Sequence, residues 1–554
     1  MRIPLAANLE SRDGTLDQDA IVKNGIIESR GADLPPRLRK RPGTSSLGTV
    51  DADNTSQGAW YWPAAGKFFC VKDDTIYSSS PSTFSATGVA LTYITGDKQL
   101  SFAASPAESS SSLIYAMLKS NTDAVRITYR LSDGIISAIT EITDTEYPDD
   151  TLTPDRLTVP GIVVLDGYFI VMTTDGELFN SALEDCINWA ALDFTTAARE
   201  PSPGTGIARL GSYVVAFKEW SSDVYYNAGN PTGSILSPVS SGFAQIGCPD
   251  GWSIATVAGT LFFIGQTEQD GRGVYMMQGL ERRRVSTPDI DRVLALDTLA
   301  AVYAYAIQVA GNILYILTLT NTAVTLVYNV SSGTWTQWTS LEAAASKTVS
   351  SITRSGTTAT VNTSSAHGMS DGDPVVITGA DQGGYNGYFQ ISYVDSDTFT
   401  TQVDSGTVSP ATGTITAYPL TETYFKLTHY AFCDGYHIAM HLTDGDAYKF
   451  DIAVFRDDGN PINFFARTTR LDGGTTERKK LARIGVIGTD VSDTAMIRWS
   501  DDDSGTFSAY RSVNLGDEVP ELRRCGAFSR RSIEFRHVGN TAPVIDALEL
   551  DIGR

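Results

Sequence analysis

A chain of 554 residues has room for three or four domains, or for one large repeat-built body with additions. Hydrophobic residues make up 42% and charged residues 19%, so a sizeable core can be buried and a disordered chain is excluded. With 42 basic against 64 acidic residues the formal charge is −22, a poor basis for gripping phosphates and a good one for a surface that DNA passes without sticking.

No run reaches the eighteen or so apolar residues of a membrane span. The start, Met1-Arg-Ile-Pro-Leu, holds too short an apolar stretch for a signal peptide, so secretion by the usual route is not expected. Five scattered cysteines (Cys70, Cys186, Cys248, Cys433 and Cys525) contain no CxxC pair, which predicts buried reduced thiols rather than a disulfide framework or zinc site.

Residues 1–50 read as an N-terminal docking segment. Arg30, Arg37, Arg39, Lys40 and Arg41 make it basic within an acidic chain, and the Pro35-Pro36 extension is a poor core element. Docking onto an acidic neighbour is the expected role, with a phosphate site as the alternative.

From 51 to 345 one pattern recurs: a turn glycine, an apolar or aromatic strand, a polar turn, a second strand. Copies begin at Gly66, Gly167, Gly211, Gly259, Gly311 and Gly435, with a weaker one at Ser112. Starts at 167, 211, 259 and 311 are 44, 48 and 52 residues apart, a period near that of four-stranded propeller blades. The predicted fold is all-β, a propeller-like core of about seven blades; an array of plain β-sandwiches is the rival. Helix is expected only in short pieces, around 292–306 and 181–193.

An acidic stretch (Glu141, Asp144, Glu146, Asp149, Asp150 and Asp155) is either a solvated loop or a channel wall that repels phosphate. Residues 346–417 break the blade period and read as an inserted small β-barrel or sandwich, with Gly-Asp and Asn-Gly turns between strands of branched and small polar residues. The order His367-Gly, Gly372-Asp-Pro-Val and Tyr385-Asn-Gly resembles a small β domain that recurs in phage tail and fibre proteins. Both its ends meet blade-like strands, so it is expected to protrude from a blade loop. Residues 418–554 read as the closing propeller part with a C-terminal β segment.

Within that last part, Ser500, Asp502, Thr506 and Phe507 resemble the Asp-box turn of sialidase propellers, with its glycine displaced by one place. The box is structural: a carboxylate caps backbone N–H groups while the aromatic packs inward. Calcium is not expected, since consecutive carboxylates lack the alternating ligands of an EF-type loop. Arg523-Arg524 and Arg530-Arg531 fit solvent faces of strands. His437 and His441 sit in strand-like sequence without the HExxH glutamate, and no Walker loop or GxSxG elbow occurs. No cofactor, metal or catalytic residue is predicted, although converging glycosidase carboxylates leave no sequence signature.

The order of several pieces carries a broader resemblance. Pro4-Leu-Ala-Ala-Asn-Leu, Lys23-Asn-Gly and Arg39-Lys-Arg-Pro-Gly open the chain. Trp189-Ala-Ala-Leu-Asp-Phe, Gln245-Ile-Gly-Cys, Arg284-Val-Ser-Thr-Pro-Asp-Ile and Tyr328-Asn-Val-Ser-Ser-Gly-Thr-Trp follow, then Glu477-Arg-Lys and Ile497-Arg-Trp-Ser-Asp-Asp. Together these resemble the packaged-DNA-stabilisation, or tail-hub, proteins of short-tailed phages. Departures occur at Ala310-Gly-Asn-Ile-Leu-Tyr, where relatives carry a GHTFY-like stretch, and at Asp502-Asp-Ser-Gly, where they carry Asp-Gly-Gly.

The resemblance implies a non-enzymatic virion protein assembled in the host cytoplasm. It would form a self-associated ring, six-fold as in similar hubs, below portal and adaptor. Such a ring carries fibres or spikes, meets a needle or plug, and conducts DNA without sequence-specific binding. The rival function is a glycan-binding or glycan-hydrolysing virion propeller; a trimeric fibre or spike is a third.

Overall fold

The computed structural model describes all residues except 1, 7, 15, 17, 18, 32, 33, 51–54, 83, 85, 86, 97, 98, 106–111, 149–156, 503 and 554. The chain divides into two compact units, one of residues 45–322 and 426–450, the other of 1–44, 323–425 and 451–554.

The first unit is the propeller. Five four-stranded antiparallel sheets follow one another at 56–90, 101–141, 163–196, 204–238 and 255–284. A sixth sheet joins Leu427–Cys433, Tyr436–His441 and Asp446–Asp451, and Gly43–Thr49 is the next strand in its order. The Val50 amide reinforces that pairing by donating to the Gly445 carbonyl at 3.0 Å. A strand from the front of the unit thus joins a sheet supplied by its end, which ties the two ends of the array together.

Among the described residues the blade count is therefore six, not about seven. In the copy beginning at Gly311 the first strand, Asn312–Leu319, pairs with Val302–Val309, and the second, Val324–Asn329, pairs with Thr334–Ala343.

Blade glycines act where the chain must turn. Gly211, Gly259 and Gly311 all have positive φ (63°, 73° and 78°) in hairpin turns, the backbone region that β-carbons disfavour. Between blades the apolar faces interlock: Val215, Phe217 and Val224 of the fourth pack on Leu261, Phe263 and Met277 of the fifth, with the Phe217 and Phe263 rings 4.7 Å apart.

Among the described residues one α-helix occurs, Pro288–Leu296, with Thr287 as N-cap, proline in its first turn and Asp289 and Asp291 against the positive end of its dipole. It starts earlier and stops sooner than the helix expected around 292–306, because Val302–Val309 is a strand. The segment 181–193 is not helical; it belongs to strands Glu177–Ala182 and Asp185–Thr196, whose bulged pairing brings two exposed residues together and blurs the alternation.

The second unit is a β-sandwich with a small β domain. One sheet runs through Gly25–Glu28, Arg37–Lys40, Val544–Gly553, Lys479–Gly488 and Glu521–Arg523. The other runs through Ile21–Lys23, Phe464–Arg467, Ser532–His537, Thr494–Ser500 and Arg511–Asn514. Val22, Leu38, Phe464, Ile484, Ile497, Phe535 and Leu548 fill the space between them. The first fifty residues are thus not a free docking segment: 1–44 supply core strands here. Likewise only 426–450 of the expected closing part returns to the propeller, while 451–554 completes the sandwich.

The expected small domain forms its own core of Ile352, Val361, Val375, Ile377, Phe399 and Ala417. It does not hang from a blade loop. Its flanking strands, Thr334–Ala343 and Gly413–Tyr424, pair with each other in the sandwich unit. Further ties are the Arg536 guanidinium donating to the Gly372 carbonyl and the Tyr510 amide donating to Asp371 at 3.2 Å.

Candidate assembly surfaces and cavities

The basic residues of the N-terminal segment divide by strand alternation. In Arg37–Lys40, Leu38 and Lys40 point inward while Arg37 and Arg39 point out. Glu28 lies directly opposite Arg37 on the neighbouring strand and accepts from Arg37 at 2.7 Å and Arg39 at 3.3 Å. Both arginines keep about 40% of their side-chain surface in solvent (40% and 38%). Arg30 pairs with Asp546 at 3.3 Å and donates to the Pro35 carbonyl.

Lys40 and Arg41 are fully buried. The Lys40 ammonium donates to the Gly539 carbonyl at 2.6 Å, and burial, aided by neighbouring Arg41, pushes its pKa down to about 7. Arg41 lies over the rings of Phe425 (4.7 Å) and Trp338 (5.4 Å). It donates to Asn24 Oδ1, the Pro42 and Thr339 carbonyls and both carboxylate oxygens of Asp457. All five of its N–H groups are thereby used. The structure makes these two residues internal braces, which removes them from any docking face; the prolines sit beyond, at the turn joining the two strands.

The Asp-box-like turn follows strand Thr494–Ser500. Asp502 accepts from the Thr506 amide (2.7 Å), the Thr506 hydroxyl (2.5 Å) and the Ser500 hydroxyl (2.8 Å), while Ser500 Oγ accepts from the Ser504 amide at 3.0 Å. The bonds from Thr506, then that from Ser500, hold the Asp502 carboxyl down at about 2. Phe507 lies under the Arg498 guanidinium, 4.4 Å away. Arg498 and Arg467 both pair with Glu534, a carboxylate wholly removed from solvent. Asp501 turns instead to Arg531, at 2.7 and 2.8 Å. Neighbouring carboxylates therefore serve different partners, and the turn lies in the sandwich unit rather than in a blade. Arg531 is buried, contrary to the solvent-face expectation, whereas Arg523, Arg524 and Arg530 are exposed.

In the acidic stretch, Glu141 ends the outermost strand of its blade and is exposed, as is Glu146. Asp144 organises the bend: it accepts from the Glu146 and Trp189 amides, both at 3.0 Å, beside the packed Tyr147–Trp189 pair. Asp149, Asp150 and Asp155 lie outside the described residues. Among the described residues, no three His, Cys, Asp or Glu side chains gather as a metal site. The five cysteines are free and buried.

Sequence reasoning missed the hollows of the propeller, of which one, about 710 Å³, lies beside Val257, Gln308, Phe432 and His437, and two more bear on function. The first, about 740 Å³, is framed by the first strands of successive blades, and its wall includes Trp60, Phe102, Trp252, Tyr305, Tyr430 and Arg209. No Asp or Glu lines it. His429, also in the wall, is pushed down to about 3 by burial and stays neutral at physiological pH. This wall offers aromatic faces and backbone, not the carboxylate pair a glycosidase requires. The second hollow, about 390 Å³, lies among loops of the fourth and fifth blades. Residues far apart in sequence build both, strands in the first and loops in the second, so no local motif announces them.

Residues 35–356 match the family model described as Phage_stabilise: Bacteriophage P22 Gp10, beta-propeller. No curated protein matches. Solved structures with partial likeness include BamB from Moraxella catarrhalis (10% identity, 65% of this chain and 97% of that one, TM-score 0.31). Another is the N-terminal domain of Nup159 (8% identity, 78% and 98%, TM-score 0.32). No helix among the described residues is long and apolar enough to cross a membrane.

Proposed function

The chain belongs to the P22 Gp10 phage-stabilisation family of β-propellers, a structural component of the virion, and from that premise we propose that it forms the tail hub or nozzle ring below portal and adaptor. The ring, six-fold in this reading, holds packaged DNA, carries fibres or spikes, seats a needle or plug, and becomes the ejection conduit. Assembly takes place in the host cytoplasm. Mechanism here means association and channel electrostatics rather than bond chemistry.

The family match over more than half of the chain carries the proposal. Two physical features support it. A net charge of −22 disfavours adhesion of passing DNA. Exposed Glu141 and Glu146 on the rim of the second blade are the described residues of the acidic stretch offered to a channel. Arg37 and Arg39 are the docking residues still open to a partner. Permanent assemblies bury on the order of 2,000 Å² or more, so these contacts would be part of a much larger apolar surface.

Negative-stain imaging of the purified chain with its adaptor tests the reading. Rings with a central opening are expected; persistent monomers beside a saturating adaptor would refute it.

A further inference from the structure

The smaller hollow, between the fourth and fifth blades, is built to hold something. Its wall is Glu200, Trp220, Gln245, Thr267, Glu268 and Gln269, drawn from four loops. At about 390 Å³ it falls in the range of small-molecule sites.

The loops are fixed by one another. The Glu219 amide donates to the Pro203 carbonyl at 2.9 Å, and Gly247 and Gln266 exchange both backbone hydrogen bonds at 2.9 and 3.0 Å. The Gln266 side chain reaches the Glu219 carbonyl at 3.2 Å. Gly247 approaches the Trp220 turn so closely that a β-carbon there would stand 2.2 Å from the Glu219 oxygen and 2.4 Å from the Trp220 nitrogen. The Trp220 turn is thereby held against the loop that carries Gln245.

Glu200 Oε2, in the wall, is buried without a hydrogen bond, as is Ser202 Oγ two residues further along the same segment. Leaving such atoms dry and unpaired costs about 1–3 kcal/mol each, so they mark a place where a polar ligand or water completes the structure.

We infer that this hollow binds a neutral sugar unit of a glycan. A hexose has an apolar C–H face and a rim of hydroxyls that both donate and accept. Trp220, partly exposed, supplies a ring for the face. Gln245 and Gln269 donate and accept, Thr267 does the same, and Glu200 and Glu268 accept from hydroxyls. Of the cations beside the wall, the Lys218 ammonium donates to the Ala197 carbonyl at 3.0 Å and to the Glu200 carbonyl, and Arg199 pairs with Asp223 at 3.3 Å. With two carboxylates and no free cation in its wall, the site rejects carboxylated or phosphorylated sugars. This inference does not depend on the ring reading, since a single chain carries the whole site.

Saturation-transfer-difference NMR on the full chain tests it with maltose, lactose and N,N′-diacetylchitobiose at millimolar concentration, 3′-sialyllactose as the acidic comparison, and a lysine-rich peptide as the cationic rival. At least one neutral sugar is expected to receive saturation, while sialyllactose receives none. Trp220→Ala should weaken that binding at least tenfold, and Gln245→Ala, an exposed change that spares the fold, should weaken it severalfold. Trp252→Phe, in the first hollow, should leave it unchanged. Silence from every neutral sugar, transfer that survives both pocket substitutions, or Trp220-dependent binding of the peptide alone would overturn the inference.

Discussion

Arg41 tests the claim that the N-terminal segment braces the sandwich from within. Arg41→Ala removes a side chain with no solvent exposure and leaves Asp457, 15% exposed, with only a long 3.3 Å contact from the Thr44 hydroxyl. The Pro42 and Thr339 carbonyls each lose the guanidinium as a donor, while Asn24 Oδ1 keeps the Thr339 amide at 2.9 Å. Breaking a buried pair from one side costs about 3–5 kcal/mol, chiefly the stranded charge. In a unit of roughly 250 residues each kcal/mol lowers the melting temperature by about 2–4 °C, so a fall of roughly 6–20 °C is expected. Two units need not melt together. The assay is therefore hydrogen exchange resolved by segment, beside a thermal scan: the 21–28 and 464–467 strands should lose protection while the 261–264 strand keeps it. Arg41→Lys keeps the charge but offers three donors in place of five, and should fall between wild type and alanine. A drop below about 2 °C for Arg41→Ala would show that the segment does not brace this unit, and the docking expectation would regain Arg41.

Burial holds both Lys119 and Lys40 near 7, while an unfolded lysine titrates near ~10.4. From about pH 7 to 10 the unfolded chain then binds more protons, so stability rises with pH across that window and the cost is fully present below it. Lys119→Met should flatten this rise in denaturant midpoints; an unchanged slope would refute it. Asp502→Ala should speed exchange of the Thr506 amide by at least about tenfold, with no change at Arg498. Because the Asp502 carboxyl titrates near 2, wild-type protection there should survive to pH 4. Replacing 346–417 by a two-residue turn should preserve the sandwich, since Ala343 lies opposite Leu420 and the Ala344 amide reaches the Pro419 carbonyl at 2.7 Å. Loss of a cooperative transition in that deletion would show that the small domain is not a separable insertion.

The blades were legible because each writes the same hairpin: positive-φ glycine, alternating apolar strand, polar turn. Their partition was not. A sandwich strand such as Arg37–Lys40 alternates as a half-buried strand does anywhere, while Gly25–Glu28 and Ser532–His537 are buried throughout, so burial pattern identifies a strand without naming its sheet. Charge misled in a similar way. Arg37, Lys40 and Arg41 look alike in sequence, yet alternation and a single aspartate decide that one is half-exposed and the others are interior. The Asp-box turn was readable because its partners lie within seven residues. The Trp220 hollow was not, since its four loops span seventy residues and meet only when two blades stack.

These partitions constrain how the chain would dock in the proposed ring. If Arg37 and Arg39 meet an acidic adaptor, they do so while already paired to Glu28, so docking exchanges one carboxylate for another rather than neutralising a bare charge. Exposed pairs of this kind are worth about 0.2–1 kcal/mol and act mainly on encounter. Arg37→Ala with Arg39→Ala should therefore slow association with the adaptor several-fold at low salt, leave dissociation nearly unchanged, and lose its effect near 0.5 M salt, where screening falls to about 4 Å. Surface plasmon resonance across a salt series separates these terms. A large rise in dissociation rate at high salt would mean the two arginines sit desolvated at the centre of the interface, and the strand Arg37–Lys40 would then be a principal contact of the assembly.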